Sequence, residues 1–274
     1  RHFGICEKLG IKMVNIPMNA DGPDMEMVEA QVRRPQVKGI WCVPKYSNPT
    51  GNIYSAEVVD RFARLGNQAA PDFRIMWDNA YAVHDHHPNA TELTNLMELC
   101  RLQGTEDSFF MMGSTSKVTL AGAGISFLGG SKSNLDYFLQ QMACWTIGPD
   151  KVNQLRHARL LPDLAATKKH MLRHAEITRP KFELVLDKLE ESFSGLEMGT
   201  WIRPEGGYFV SFDSLPGHAK EIVRLAGEAG VKLTPAGSTF PYGVDPEDKN
   251  IRLSPTFPPL ADLSAAMEVF VNCV

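Results

Sequence analysis

The sequence predicts an α/β protein: a mainly parallel sheet sandwiched by helices, followed by a smaller α+β C-terminal domain. Three observations predict it. Short, continuously apolar runs alternate with helical periods through the first half of the chain, the pattern of strands buried on both faces. From Asn134 onward the pattern turns helical and then ends in short strands and one closing helix. Side chains able to do chemistry gather directly after the apolar runs. Those positions are the carboxyl ends of the predicted strands, where parallel sheets collect their sites.

In chain order, Arg1–Gly10 reads as an amphipathic helix already under way, with Phe3, Cys6 and Leu9 on one stripe and Gly10 as its stop. It has no initiating Met and no N-cap before it, so the chain is expected to be the latter part of something longer. Ile11–Pro17 is strand-like, and a helix follows from about Pro23 to Val32. Val37–Pro44 is a second strand, followed by a helix over Ala56–Ala69. Phe73–Trp77 is a third, ending on Asp78, and a helix over Asn89–Gln103 precedes the fourth, Phe109–Met112. Gly124–Gly129 is a fifth. Helices are then predicted over Asn134–Trp145, Asp150–Leu161 and Asp163–Phe193, the last with Pro180 as a kink. Gly206–Phe212 alternates as a strand, a helix covers Ala219–Ala229, and strands at Val231–Leu233 and Asn250–Leu253 precede a helix over Ala261–Val271. The division expected is 1–165 for a partial large domain and 166–274 for a connector helix and small C-terminal domain.

Bulk properties exclude several classes. A net charge of −4 without a basic stripe offers nothing to nucleic acid and no polybasic anchor to membranes. No apolar run approaches the roughly 20 residues of a membrane span. Five scattered cysteines with no CxxC read as reduced thiols of a cytoplasmic protein.

The chemistry-bearing fragments are Asn48-Pro49-Thr50-Gly51, Asp78-Asn79-Ala80-Tyr81, Ser114-Thr115-Ser116-Lys117 and Ile251-Arg252-Leu253-Ser254. Singly, each has a plainer reading: a type I turn, a helix N-cap, a solvated turn, a surface strand. Together they supply an amide, a carboxylate, a phenol, hydroxyls, an amine and a guanidinium. Pyridoxal phosphate needs such a set. A lysine amine able to shed its proton forms the Schiff base, and a carboxylate on the pyridinium nitrogen keeps the ring an electron sink. Lys117 suits the first role and Asp78 the second. Tyr81 and Asn48 suit the ring phenolate, Ser114 and Ser116 the phosphate, and Arg252 the α-carboxylate of a substrate.

In this order and spacing the chain resembles the class I/II aminotransferases, pyridoxal-phosphate fold type I. Its wording at STSKVTLAGAGISF and NIRLSPTFPP is most similar to the bacterial aspartate aminotransferase subgroup. Further matching stretches are Pro204-Glu205-Gly206-Gly207-Tyr208-Phe209 and Pro235-Ala236-Gly237-Ser238 with Phe240. The resemblance implies a fold type I large domain, here partial, and transfer of an amino group from aspartate to 2-oxoglutarate. It also implies a homodimer, and amino-acid and 2-oxo-acid partners. It puts Lys117 in the catalytic role, Asn48, Asp78, Tyr81, Ser114, Ser116 and Lys117 at the cofactor, and Arg252 and Asn48 at the substrate. Kynurenine or aromatic transamination, C–S lysis and a non-catalytic regulatory module remain alternatives.

Two departures stand out. The family's phosphate-binding arginine, eight residues past the lysine, is Ile125 here, with Lys132 the nearest candidate replacement. The family's chain also starts well before Arg1, and the fragment alone is not expected to be competent. Among other motifs, His84-Asp85-His86-His87 is expected to be a polar loop and not a metal site. Gly122-Ala123-Gly124 lacks the strand-to-helix context of a dinucleotide fingerprint. Arg156, His157 and Arg159 form a basic helix face, for solvent or a domain contact.

Overall fold

The computed structural model describes residues 2–274. Three parallel strands, β3 (Gly39–Cys42), β4 (Arg74–Asp78) and β5 (Phe109–Ser114), lie side by side in sequence order. β6 (Ser126–Gly130) closes the edge antiparallel to β5, Ser126 opposite Ser114. The mainly parallel sheet is thus observed, with one reversed strand.

Local chemistry sets where the helices start. Asp24 Oδ1 accepts from Met27 N–H at 3.0 Å and Ser55 Oγ from Val58 N–H at 3.2 Å, capping α2 (Met25–Val32) and α3 (Ala56–Arg64). Asn95 caps α4 (Leu96–Gln103), and Gly104, at φ 67°, ends it. These helices bury Val28, Val59, Phe62 and Leu96 against Ile75, Trp77 and Phe109 of the sheet, forming the first apolar core.

The second half begins with α5 (Lys132–Met142) and α6 (Lys151–Leu160), capped by Ser131 and Asp150. The 30-residue α7 (Leu164–Phe193) follows, and Pro180 lies inside it without ending it. A three-stranded antiparallel sheet, β7 (Gly199–Trp201), β8 (Val210–Ser214) and β9 (Asn250–Leu253), packs with α8 (Ala219–Glu228), α9 (Leu260–Cys273) and the C-terminal half of α7. Phe182, Leu189, Phe212 and Phe270 form this second core.

Several expectations are corrected. Ile11–Pro17 makes no ladder among the described residues, and Ile11 and Val14 are exposed. Extended backbone becomes strand only when a neighbour takes its hydrogen bonds. The small hairpin lies just beyond, between β1 (Met18–Asn19) and β2 (Gly22–Pro23). Residues 89–95 are loop, because Glu205 binds Thr91 through its N–H at 2.7 Å and its hydroxyl at 2.9 Å, and Asn95 starts the helix only then. Val231–Leu233 is not a strand; Val231 N–H instead closes the end of α8 on Ala226 O at 2.8 Å. In the predicted strand Gly206–Phe212, Gly206 makes an isolated bridge to Asp85 and the ladder begins only at Val210, while β7 was not foreseen at all.

α1 (His2–Lys8) forms within the expected helix, whose first residue, Arg1, lies outside the described residues; Phe3 and Cys6 are half-buried, Leu9 is exposed and Gly10 is at φ 69°. All five cysteines are free thiols. Among the described residues, no helix is long and apolar enough to cross a membrane.

Candidate active site

Asp78 and Ser114 end β4 and β5, and the loops leaving β3, β4 and β5 carry Asn48, Tyr81, and Ser116 with Lys117. Arg252 arrives from β9 of the other sheet. Four of these predicted residues make direct contacts, Lys117 with Tyr81 and Arg252 with Asn48. Lys117 Nζ donates to Tyr81 Oη at 2.9 Å and stands 4.2 Å from the centre of that ring. Arg252 Nη1 donates to Asn48 Oδ1 at 3.0 Å and Nη2 to Thr234 Oγ1 at 3.3 Å. The guanidinium lies 4.4 Å over the Phe209 ring, and its Nε is buried without a partner.

Electrostatics join the two pairs. Lys117 is exposed along part of its length, but loss of water around its amine lowers its pKa. The Asp78 charge opposes that shift and the Arg252 charge adds to it. Tyr81, only 3% exposed, is raised to about 12 by burial, with Arg252 pulling it down and Asp78 pushing it up. At neutral pH Tyr81 therefore keeps its proton. Burial also lowers the pKa of Arg252.

Asp78 is positioned by partners that sequence reasoning did not find. Trp41 Nε1 donates to its Oδ2 at 3.3 Å, and His2 Nε2 stands 3.7 Å from the same oxygen. The His2 and Trp41 rings lie against each other with centroids 3.7 Å apart and planes tilted by 31°. Only the register reveals it: Trp41 is opposite Met76 in the parallel pair, which puts it on the sheet face that Asp78 shares two residues on.

The lysine loop is tightly built. Thr115 and Ile125 exchange backbone and side-chain hydrogen bonds, and Ser114 Oγ bonds Ser116 Oγ at 3.0 Å and accepts from Ser116 N–H at 3.1 Å. A Cβ on Gly124 would stand 2.6 Å from Ser116 N, so only glycine permits this approach.

Other candidates separate. Lys132 follows β6 at the end opposite the lysine loop and pairs with Asp136 on α5 at 2.5 Å, which removes it as a replacement for the cation absent at Ile125. In the 84–87 loop, His84 bonds Lys117 O, Asp85 holds Lys45 at 2.6 Å and Tyr46 at 2.7 Å, His86 packs on Phe182, and His87 is exposed. Four directions leave no common centre for an ion. His157 is buried on Thr119 and Asn153, with Arg156 and Arg159 exposed.

Comparison with known proteins agrees with this architecture. The aspartate amino-transferase family model matches residues 1–274. The chain is 48% identical over its whole length to a relative from Mycolicibacterium smegmatis, spanning 64% of that protein. It is 45% identical to an aspartate aminotransferase from Corynebacterium glutamicum, spanning 63%. A crystal structure of an aspartate transaminase from Corynebacterium glutamicum superposes on all of this chain with a TM-score of 0.97, the chain covering 64% of it. More distantly, an alpha-aminoadipate aminotransferase from Thermus thermophilus, complexed with N-(5'-phosphopyridoxyl)-L-leucine, shares the fold at a TM-score of 0.79 and 23% identity. The chain thus spans just under two thirds of the length of its nearer relatives. A family match running from the first residue to the last, on a backbone shared with the Corynebacterium protein, places this chain in the aspartate amino-transferase family.

Proposed function

We propose that this chain carries the catalytic lysine and much of the cofactor and substrate site of a pyridoxal-phosphate-dependent aminotransferase, with aspartate as amino donor and 2-oxoglutarate as acceptor. The observation that carries the reading is the amine of Lys117, lowered in pKa and 2.9 Å from a protonated Tyr81, within the field of Asp78 and Arg252.

The residues fit the cofactor. Lys117 suits its aldehyde carbon, Asp78 its ring nitrogen, Tyr81 and Asn48 its ring oxygen, and Ser114 and Ser116 its phosphate. The Gly124 approach shapes that last corner, and the buried Arg252 Nε, without a partner, has room in its hydrogen bonding for a further acceptor. When bound, pyridoxal phosphate supplies an electrophilic carbon and a ring that accepts an electron pair.

The chain's own residues would do the rest. Lys117 Nζ would take the proton from the substrate Cα and deliver it to the carbon that was the cofactor's aldehyde. Its depressed pKa favours the neutral amine this needs. Tyr81 donates its hydrogen bond without ionising, and Trp41 keeps an Asp78 oxygen aimed. The fork of Arg252, held over the Phe209 ring, takes the α-carboxylate. Similarity to the family supports a homodimer, and five free thiols support a cytoplasmic setting.

Borohydride is expected to fix the cofactor to Lys117 in the full-length protein, and Lys117→Ala to lose both the label and turnover. Asp78→Ala should keep the label and lose most activity. Full turnover by Asp78→Ala would exclude its role. A screen of amino-acid donors against 2-oxo acids tests the substrate pair, with preference for a non-acidic donor counting against aspartate.

A further inference from the structure

The main chain of Lys117 is held by two side chains that the transfer chemistry does not use. His84, 6% exposed in the loop after β4, places Nε2 3.2 Å from the Lys117 carbonyl oxygen. A carbonyl only accepts, so Nε2 carries the ring proton and Nδ1 is the bare nitrogen, buried without a partner. Tyr208, from the segment before β8, donates its hydroxyl to the same oxygen at 3.0 Å. The His84 and Tyr208 ring centroids are 5.3 Å apart, and both rings meet Tyr81 edge-on, at 5.5 and 5.9 Å. One aromatic trio thus grips the lysine at both ends, Tyr81 at Nζ and the other two at the carbonyl.

The backbone beneath is fixed as well. Gly207 N–H donates to His84 O at 2.9 Å, and His86 N–H to Glu205 O at 2.9 Å. A Cβ on Gly206 would collide with His84 O and the Tyr46 ring, so the glycine lets these two loops touch.

We propose that His84 is a positioning residue for Lys117, its Nε2–H and the Tyr208 hydroxyl fixing the lysine main chain so that the amine returns to one place in every turnover. This rests on the reading of Lys117 as the cofactor lysine. The amine must act at two positions on a long flexible stem, and a misplacement of about 1 Å can cost roughly 100-fold in rate. Histidine suits the task because burial holds its pKa down to about 4. It donates as a neutral ring and adds no positive charge beside Arg252 to an amine that Asp78 alone offsets.

The test uses the full-length holoenzyme. His84→Phe keeps a ring and removes the donor; His84→Gln restores an N–H. The expected result for His84→Phe is a roughly 10- to 100-fold fall in kcat, with KM for the amino acid within about two-fold. It should also shift the pH midpoint of the bound cofactor's absorbance. His84→Gln should recover most of both, and Tyr208→Phe should move both in the same direction by less. Unchanged kcat and midpoint in His84→Phe, or equal impairment of the Phe and Gln variants, overturns the proposal. Should His84→Phe fail to fold, Tyr208→Phe removes a single oxygen and decides alike, an unmoved midpoint refuting the clamp. Absence of a borohydride label on wild-type Lys117 refutes the underlying function and this proposal with it. A labelled wild type with unaffected variants refutes the clamp alone.

Discussion

Arg252 shows how much of the candidate site depends on the shape of one side chain. Its guanidinium is half-buried over the Phe209 ring, with two nitrogens bonded to Asn48 and Thr234. Lysine keeps the charge but has neither the plane nor the fork. Arg252→Lys is therefore expected to raise KM for the amino acid roughly 10- to 100-fold, the loss of about 1.5–3 kcal/mol of charged hydrogen bonding, with kcat less affected. Steady-state kinetics at saturating keto acid check this; an unchanged KM would remove the arginine from carboxylate binding. Lys117, Asp78, Tyr81 and Asn48 were legible in the sequence because each follows a predicted strand, where parallel sheets gather their chemistry. The partners of those residues were not. Trp41 reads simply as an apolar strand residue until register puts it beside Asp78, and His84 reads as part of a histidine-rich loop until folding brings it to the Lys117 carbonyl.

At the scale of elements, the lysine loop is a turn between β5 and β6 whose two arms touch at Ser116 and Gly124. Gly124→Ala would drive a methyl carbon into the Ser116 backbone, which has no flexible end to yield. The expected outcome is displacement of the Ser114–Ser116 hydroxyls, a cofactor Kd raised about 10-fold or more, and a lower Tm. Calorimetric titration of the apoprotein with pyridoxal phosphate would show it, and wild-type affinity would count against that corner as the phosphate site. Element types were well read where periodicity was long, as in α3, α7 and α9. They were misread where a short apolar run had two outcomes. Ile11–Pro17 and Val231–Leu233 have strand-like composition, but a strand exists only if a neighbouring edge is free to pair with it. Residues 89–95 have helix-compatible spacing, but Glu205, 114 positions from Thr91, takes the N–H that would begin the turn.

Across the molecule, two apolar cores flank the site, and α7 serves both regions. Its first half bonds Val118 through His170 at 2.8 Å, and its second half packs into the core of the antiparallel sheet. We propose that the chain divides into a larger and a smaller body joined through this helix. Two buried histidines at the junction make its stability depend on acidity. His84 and His86 are both held near pKa 4 by burial, against an ordinary value of 6.5. The folded pKa values lie below the unfolded ones, so the unfolded chain takes up protons first as acidity rises. Stability is full above about pH 6.5 and falls as pH drops through about 4, by on the order of 2–3 kcal/mol per ring. Urea midpoints measured from pH 7 to pH 4 should fall steeply, and His86→Phe should flatten that fall. A wild-type midpoint insensitive to acid over this range would contradict the assignment.

The hydrogen bond from Arg252 to Asn48 spans 204 positions in the chain. Contacts that close so large a loop cost more chain entropy than the short-range pairing of neighbouring parallel strands, and tend to form late. The corner that suits the aldehyde cofactor is drawn from the ends of three consecutive parallel strands and can be in place early. The grip on an acid group waits for the C-terminal sheet to dock. On the function proposed above, vitamin capture would need only local contacts, whereas selection of the metabolite would need the whole polypeptide.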